Sequence, residues 1–300
     1  MNVAAVINMF KTLSGIIFSV ILVFQIETTA MPYAQLRCVG LFSNNSEIQI
    51  QTYTIQNRQI RFLSIGDSNK QPVLFIHGSP GSAENWLAFL NNTELQKKFH
   101  LIAIDRPGYG GSGYGKSEQS LQQQALELIS VLKYNHSQKS AIIIGHSFGG
   151  PVAVRMAMDF PEKISGAIFI SSLADPELIT QKWYRHVAYA VTKNFKRMTP
   201  LKVFFEEIDQ LKDQLQQLSL GWRNLKTKII LIHGGKDQAV SVLNTNYMTD
   251  HLSKNVLVDK IILSERKHAI PKQDPELIIE SLLHLADVIS ATNSAGNGKD

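Results

Sequence analysis

Short, nearly continuous apolar runs recur along this chain at residues 73–76, 101–104, 141–144, 167–171, 228–232 and 260–263. They constrain the fold more than any other feature. A strand with one wet face alternates apolar and polar residues, whereas one covered on both faces is apolar throughout. Residues 86–98, 121–134 and 151–159 lie between the runs and read as helices, and 275–290 reads as a final amphipathic helix. Strand and helix in alternation predict an α/β architecture, with a parallel sheet and helices on both faces. Residues 47–55 and 59–65 alternate instead, which predicts an antiparallel hairpin at one sheet edge. With 300 residues and 44% hydrophobic content the chain can bury one substantial core. It has no internal repeats.

The rhythm breaks between residues 173 and 225, where no strand signal occurs. Trp183, Val187, Val191, Phe195 and Met198 fall on one helical face, with Lys182, Arg185, Lys193 and Lys196 elsewhere. This predicts a helical insert (173–224) lying as a lid over the crevice of a core formed by 47–172 and 225–290. Residues 13–26 are almost entirely apolar after Lys11, and Thr28-Thr29-Ala30 offers a cleavage site. Residues 1–30 therefore read as a signal peptide, or as an uncleaved N-terminal anchor, and the chain as exported or membrane-associated. The tail, 291–300, is rich in small and polar residues and reads as disordered. The single cysteine, Cys38, excludes an intramolecular disulfide and a cysteine-rich metal site. A net charge of +5, scattered rather than striped, gives no nucleic-acid-binding surface.

One run enters Gly145-His146-Ser147-Phe148-Gly149-Gly150 and then a helix-forming segment. A serine hydroxyl is a poor nucleophile unless it is exposed beside a base, and a sharp strand-to-helix turn exposes it. The following helix also directs its N-terminal N–H groups towards the place where an oxyanion would develop. Such a pentapeptide could be only a small-residue turn, so the order of its potential partners decides. The run at 228–232 continues into His233-Gly234-Gly235-Lys236-Asp237, and the run at 260–263 is followed by His268. Nucleophile, acid and base thus follow three successive strand ends, on the side where a doubly wound sheet forms its ligand crevice. Asp175 is a rival acid, although Asp175-Pro176-Glu177 also suits a helix N-cap.

Three segments, taken with the strand order, resemble the α/β-hydrolase family over roughly residues 47–289. His77-Gly78-Ser79-Pro80-Gly81-Ser82 resembles its oxyanion loop. Asp105-Arg106-Pro107-Gly108-Tyr109-Gly110-Gly111-Ser112 resembles its D-x-P-G-x-G-x-S loop, and the Ser147 segment resembles its nucleophile elbow. The resemblance implies a mostly parallel, eight-stranded-type sheet with helices on both faces and a small helical cap. It implies Ser147 as nucleophile, His268 as general base and acid, and Asp237 as the carboxylate that orients His268. The backbone N–H groups of Ser79 and Phe148 would form the oxyanion hole. Serine at the elbow separates the chain from epoxide hydrolases and haloalkane dehalogenases, which carry aspartate there. His77 and His146 would orient loops, His233 would be structural, Asp105 and Arg106 would brace their loop as a pair, and Trp86 would pack a helix or border the acyl pocket.

The activity so implied is hydrolysis of a small-molecule ester, or an amide, through an acyl-enzyme, with neither cofactor nor metal. A C–C bond hydrolase, a proline-releasing peptidase and a non-catalytic ligand-binding protein are the alternatives on the same fold.

Overall fold

The computed structural model describes residues 42–43, 46–179, 189, 192 and 198–296. The N-terminal segment 1–30, Cys38, and Trp183, Val187, Val191 and Phe195 of the insert lie outside the described residues. Among the described residues, no helix is long and apolar enough to cross a membrane.

Eight strands form one sheet: β1 (Gln49–Ile55), β2 (Arg58–Ile65), β3 (Gln71–Ile76), β4 (Phe99–Ile104), β5 (Ala141–His146), β6 (Ile164–Ile170), β7 (Lys228–Gly234) and β8 (Leu257–Leu263). Their spatial order is β8-β7-β6-β5-β3-β4-β2-β1. β1 and β2 are joined through Gln56 and Asn57, both with positive φ, as a two-residue hairpin requires. β2 also runs antiparallel to β4, and every other pairing is parallel. β3 lies between β4 and β5, so the direction of winding reverses there. In doubly wound sheets such a switch point is where ligands bind, beyond the carboxyl ends of the strands. The loop after β3 carries His77-Gly78-Ser79, and the turn after β5 carries Ser147.

Continuous apolarity has the consequence the pattern demands. In β5, Ile142 and Ile144 belong to the core beneath one sheet face, and Ile143 to the core on the other, all with no exposed surface. Each such side chain contributes about 1.5–3 kcal/mol by leaving water. One face is covered by α2 (Leu121–Ile129) and α3 (Gly149–Asp159), the other by Trp86, Phe89 and the helix Pro275–Gly296.

The elements differ from the sequence expectation in three places. The helix expected over 86–98 is broken into Ala83–Trp86, Leu87–Leu90 and α1 (Thr93–Lys98), because Asn92 stops one turn and caps the next by accepting the Leu95 N–H at 2.9 Å. The stretch 121–134 is α-helical only to Ile129 and then tightens into a 3₁₀ turn over Ser130–Tyr134. The tail expected to be disordered from 291 is helical to Gly296, where Thr292 and Ser294 hydroxyls bond carbonyls one turn back. Between β6 and β7, α4 (Thr199–Asp209) and α5 (Leu211–Ser219) bury Ile208, Leu211, Leu215 and Leu218 against the α2–α3 face.

Candidate active site

Ser147 stands between β5 and α3 with φ +54°, a left-handed conformation costing a serine on the order of 1–3 kcal/mol. The surroundings hold it there. Its N–H donates to Ile170 O at 2.9 Å, and its carbonyl accepts the Gly150 N–H at 3.0 Å. The flanking glycines make the turn possible. A Cβ on Gly149 would stand 2.4 Å from Ile76 O, and one on Gly150 would overlap the Ser172 side chain. Helix α3 then starts directly behind the serine.

His268 and Asp237 come from the loops after β8 and β7, which are neighbours in the sheet. His268 Nδ1 lies 2.7 Å from Asp237 Oδ2. The other oxygen, Oδ1, accepts the N–H groups of Ala239 and Val240 at 2.9 Å each, so the carboxylate is held in one orientation. Burial pushes the Asp237 carboxyl up, but hydrogen bonds from His233 and His268 outweigh it and hold the group well below the usual carboxylate range. His233, read from sequence as structural, therefore touches Asp237: its Nε2 is 3.5 Å from Asp237 Oδ2 and 3.0 Å from Val240 O. The spacing gave no such signal, because His233 ends a strand and only the tight turn after it brings Asp237 back beside the ring. Asp175 is not part of this group. It caps the short helix Pro176–Leu178 by accepting the Glu177 N–H at 2.9 Å.

His146 ties His268 to the elbow. Its Nε2 is 3.0 Å from His268 O, and the two rings lie 4.8 Å apart. Because that carbonyl can only accept, the Nε2 of His146 carries a proton. Burial, and after it the neighbouring His268, push His146 from its ordinary 6.5 down to about 3. The unfolded chain binds a proton there below pH 6.5 that the folded chain refuses. This contribution to stability is thus present above pH 6.5 and is lost as pH falls towards 3, at up to about 1.4 kcal/mol per pH unit. His146→Gln, which keeps a donor for His268 O, should show a shallower loss of melting temperature between pH 6.5 and 4 than wild type. Identical slopes would contradict a neutral His146.

Asp105 and Arg106 brace the loop after β4, but not as a pair with each other. Asp105 pairs with Arg61 at 2.9 Å and accepts the Ala83 and Gly111 N–H groups at 2.7 Å each. Burial nonetheless raises its carboxyl to about 6. Arg106 turns the other way and pairs with Glu207 of α4, Nη1 to Oε1 at 2.7 Å, both side chains having no exposed surface. Nothing in the local sequence marked Glu207, because Glu206-Glu207 on an amphipathic helix reads as a solvated face. His77 is fixed as a neutral ring: Nε2 accepts the Arg106 N–H at 2.9 Å, which leaves Nδ1 to donate to Gly78 O at 2.7 Å. Burial, followed by the charge of Arg106, holds it well below the usual histidine range. Trp86 is buried against Phe75 and Phe89 as a packing residue.

Ser79 and Phe148 flank Ser147 from the loops after β3 and β5, and the Gly78 backbone comes so close that a Cβ there would be 2.8 Å from Ser147 Cβ. Among the described residues, neither the Ser79 nor the Phe148 N–H has a hydrogen-bond acceptor. No group of three or more His, Cys, Asp or Glu among the described residues could hold a metal ion.

A sequence model described as the alpha/beta hydrolase fold matches residues 71–228, more than half of the chain. The chain belongs to the α/β-hydrolase fold family. A dihydrolipoyllysine-residue acetyltransferase component of an acetoin cleaving system from Pseudomonas putida is 22% identical over 78% of this chain and 68% of its own length. The Arabidopsis thaliana chloroplastic protein PHYLLO is 24% identical over 74% of this chain, which spans only 16% of that relative. Among solved structures, a candidate lipase from Acinetobacter baumannii superimposes with a TM-score of 0.65 at 18% identity, covering 82% of this chain and 93% of its own. A bacterial membrane phospholipase A gives 0.64 at 18%, covering 96% and 98%. A 2-hydroxy-6-oxo-6-phenylhexa-2,4-dienoate hydrolase from Rhodococcus sp. gives 0.63 at 19%, covering 81% and 99%. At such identities these structures share the fold with this hydrolase-family chain. They do not fix its substrate.

Proposed function

We propose that this chain is a serine hydrolase that cleaves a carboxylic ester through Ser147, His268 and Asp237. The observation that carries the reading is the 2.7 Å Asp237–His268 hydrogen bond beside a serine held at φ +54° on the elbow. Asp237 accepts from Nδ1–H, which leaves Nε2 free to take the serine proton as Oγ attacks the carbonyl carbon. The C–O π electrons move to the carbonyl oxygen, where the Ser79 and Phe148 N–H groups receive the negative charge. Collapse expels the alcohol, protonated by His268, and leaves the acyl-enzyme. Water repeats the sequence, with His268 again as base, and releases the acid.

The lipase and phospholipase neighbours support an ester as substrate. They also support including phospholipids among the compounds to be tried. The protein lacking residues 1–30 should hydrolyse p-nitrophenyl esters, with a rate that depends on acyl length. Turnover confined to a vinylogous β-diketone or to a proline amide would replace the ester reading with the C–C hydrolase or peptidase one. The apolar segment 1–30 is proposed to export or anchor the chain. Full-length protein should then fractionate with membranes or lose its first residues, and an intact full-length chain in the soluble cytosolic fraction would contradict this.

A further inference from the structure

One buried polar cluster is not used by the steps above. Arg106, Gln124 and Glu207 have no exposed surface, yet they are charged or strongly polar. Leaving either ion unpaired there would be strongly destabilising, because a lone buried charge has neither water nor a counter-charge. The cluster is closed by its own bonds. Arg106 Nη1 donates to Glu207 Oε1 at 2.7 Å and to Gln124 Oε1 at 3.0 Å, and Gln124 Nε2 donates back to Glu207 Oε1 at 3.0 Å. Tyr109 OH donates to Glu207 Oε2 at 2.7 Å. Arg106 Nε donates to His77 O at 3.0 Å, which fixes the start of the loop after β3.

Further contacts lead out of the cluster to two residues. The Ser79 hydroxyl donates to Glu207 Oε2 at 3.0 Å and accepts from Arg106 Nη2. The Arg106 guanidinium carbon sits 4.7 Å from the centre of the Phe148 ring. Ser79 and Phe148 are the two residues whose N–H groups are proposed as oxyanion donors. They come from different loops, and one guanidinium touches both side chains. That guanidinium is in turn held by a carboxylate from α4, in the segment between β6 and β7.

We infer that Arg106 and Glu207 are positioning residues that set the geometry of the oxyanion hole, with Glu207 tying the α4 helix to the catalytic step. This rests on the serine-hydrolase reading. Ser79 is locked by its hydroxyl while its N–H is left for the oxyanion. Phe148 is steadied by stacking while its N–H is left likewise. An oxyanion donor acts only when aimed at the charge that develops in the transition state, so loosening the cluster should lower kcat and leave ground-state binding almost unchanged.

Ser79→Ala deletes one oxygen and leaves the backbone N–H. Glu207→Gln keeps the shape and removes the charge. Steady-state kinetics on a p-nitrophenyl ester should show kcat lowered about tenfold or more in Ser79→Ala, with KM within about threefold. The rate of fluorophosphonate labelling should fall in parallel. Adding Glu207→Gln to Ser79→Ala should lower kcat by less than the product of the two single effects, because both act through the same hydroxyl. If Glu207→Gln fails to fold, Ser79→Ala decides alone. A folded Ser79→Ala with unchanged kcat and labelling rate would overturn the inference, as would strictly multiplicative effects in the double variant. Ser147→Ala separates the two levels: hydrolysis that persists in that variant refutes the serine mechanism, whereas its loss together with an unaffected Ser79→Ala refutes only the positioning role.

Discussion

Ser147→Ala is expected to lose about 10⁵–10⁶-fold in kcat for ester hydrolysis and to melt within a few degrees of wild type. The size follows from what the hydroxyl does. On the proposed mechanism no acyl-enzyme forms without Oγ, and the proposed oxyanion donors and binding contacts can assist only a direct attack by water. Stability should change little, because the turn is held by backbone bonds from Ile170 and Gly150 and by close glycine contacts, none of which involve Oγ. Stopped kinetics with intact calorimetric unfolding would satisfy the prediction. Residual turnover above about one per cent would move the nucleophile elsewhere.

Asp237→Asn should reduce kcat by about 10³–10⁴-fold, and the direction of its hydrogen bonds explains why. Oδ1 accepts two backbone N–H groups, from Ala239 and Val240, so the asparagine must keep its oxygen there. Its NH₂ then faces His268 Nδ1, which can pair with it only as an acceptor. The imidazole proton moves to Nε2, and the ring no longer has a lone pair for the serine proton. Asp175→Asn should leave kcat unchanged within about twofold, since asparagine caps the helix at Pro176 as well as aspartate does. Both variants can be read in one assay on one ester. A large loss in Asp175→Asn with little in Asp237→Asn would exchange their roles.

The sheet was legible because burial on both faces forces apolarity at every position. Val73–Ile76 and Ala141–Ile144 could hardly be anything other than central parallel strands. Order along the chain then placed Ser147, Asp237 and His268 past successive strand ends, and Asp237 and His268 are found within hydrogen-bond distance. Less was legible where the deciding contact is distant in sequence. Glu207 meets Arg106 across 101 positions, and its burial is visible only once α4 lies over the loop after β4. Arg106 looked like the natural partner of the adjacent Asp105. Successive residues leaving a strand point in opposite directions, however, and Asp105 meets Arg61 while Arg106 meets Glu207. The break at Asn91-Asn92 was readable, since Asn is a favoured helix N-cap, but the apolar spacing on either side suggested one continuous helix. The last helix runs on to Gly296, with the Thr292 and Ser294 hydroxyls bonded to carbonyls of the preceding turn instead of competing for the backbone N–H groups, although composition alone marks such residues as irregular.

The serine-nucleophile proposal is tested most directly by covalent labelling with a fluorophosphonate, followed by peptide mass mapping of wild type and Ser147→Ala. Wild type should carry one phosphonylated site, on the peptide carrying Gly145-His146-Ser147-Phe148-Gly149, and Ser147→Ala no label. Label on any other residue, or label that persists in the variant, would contradict it.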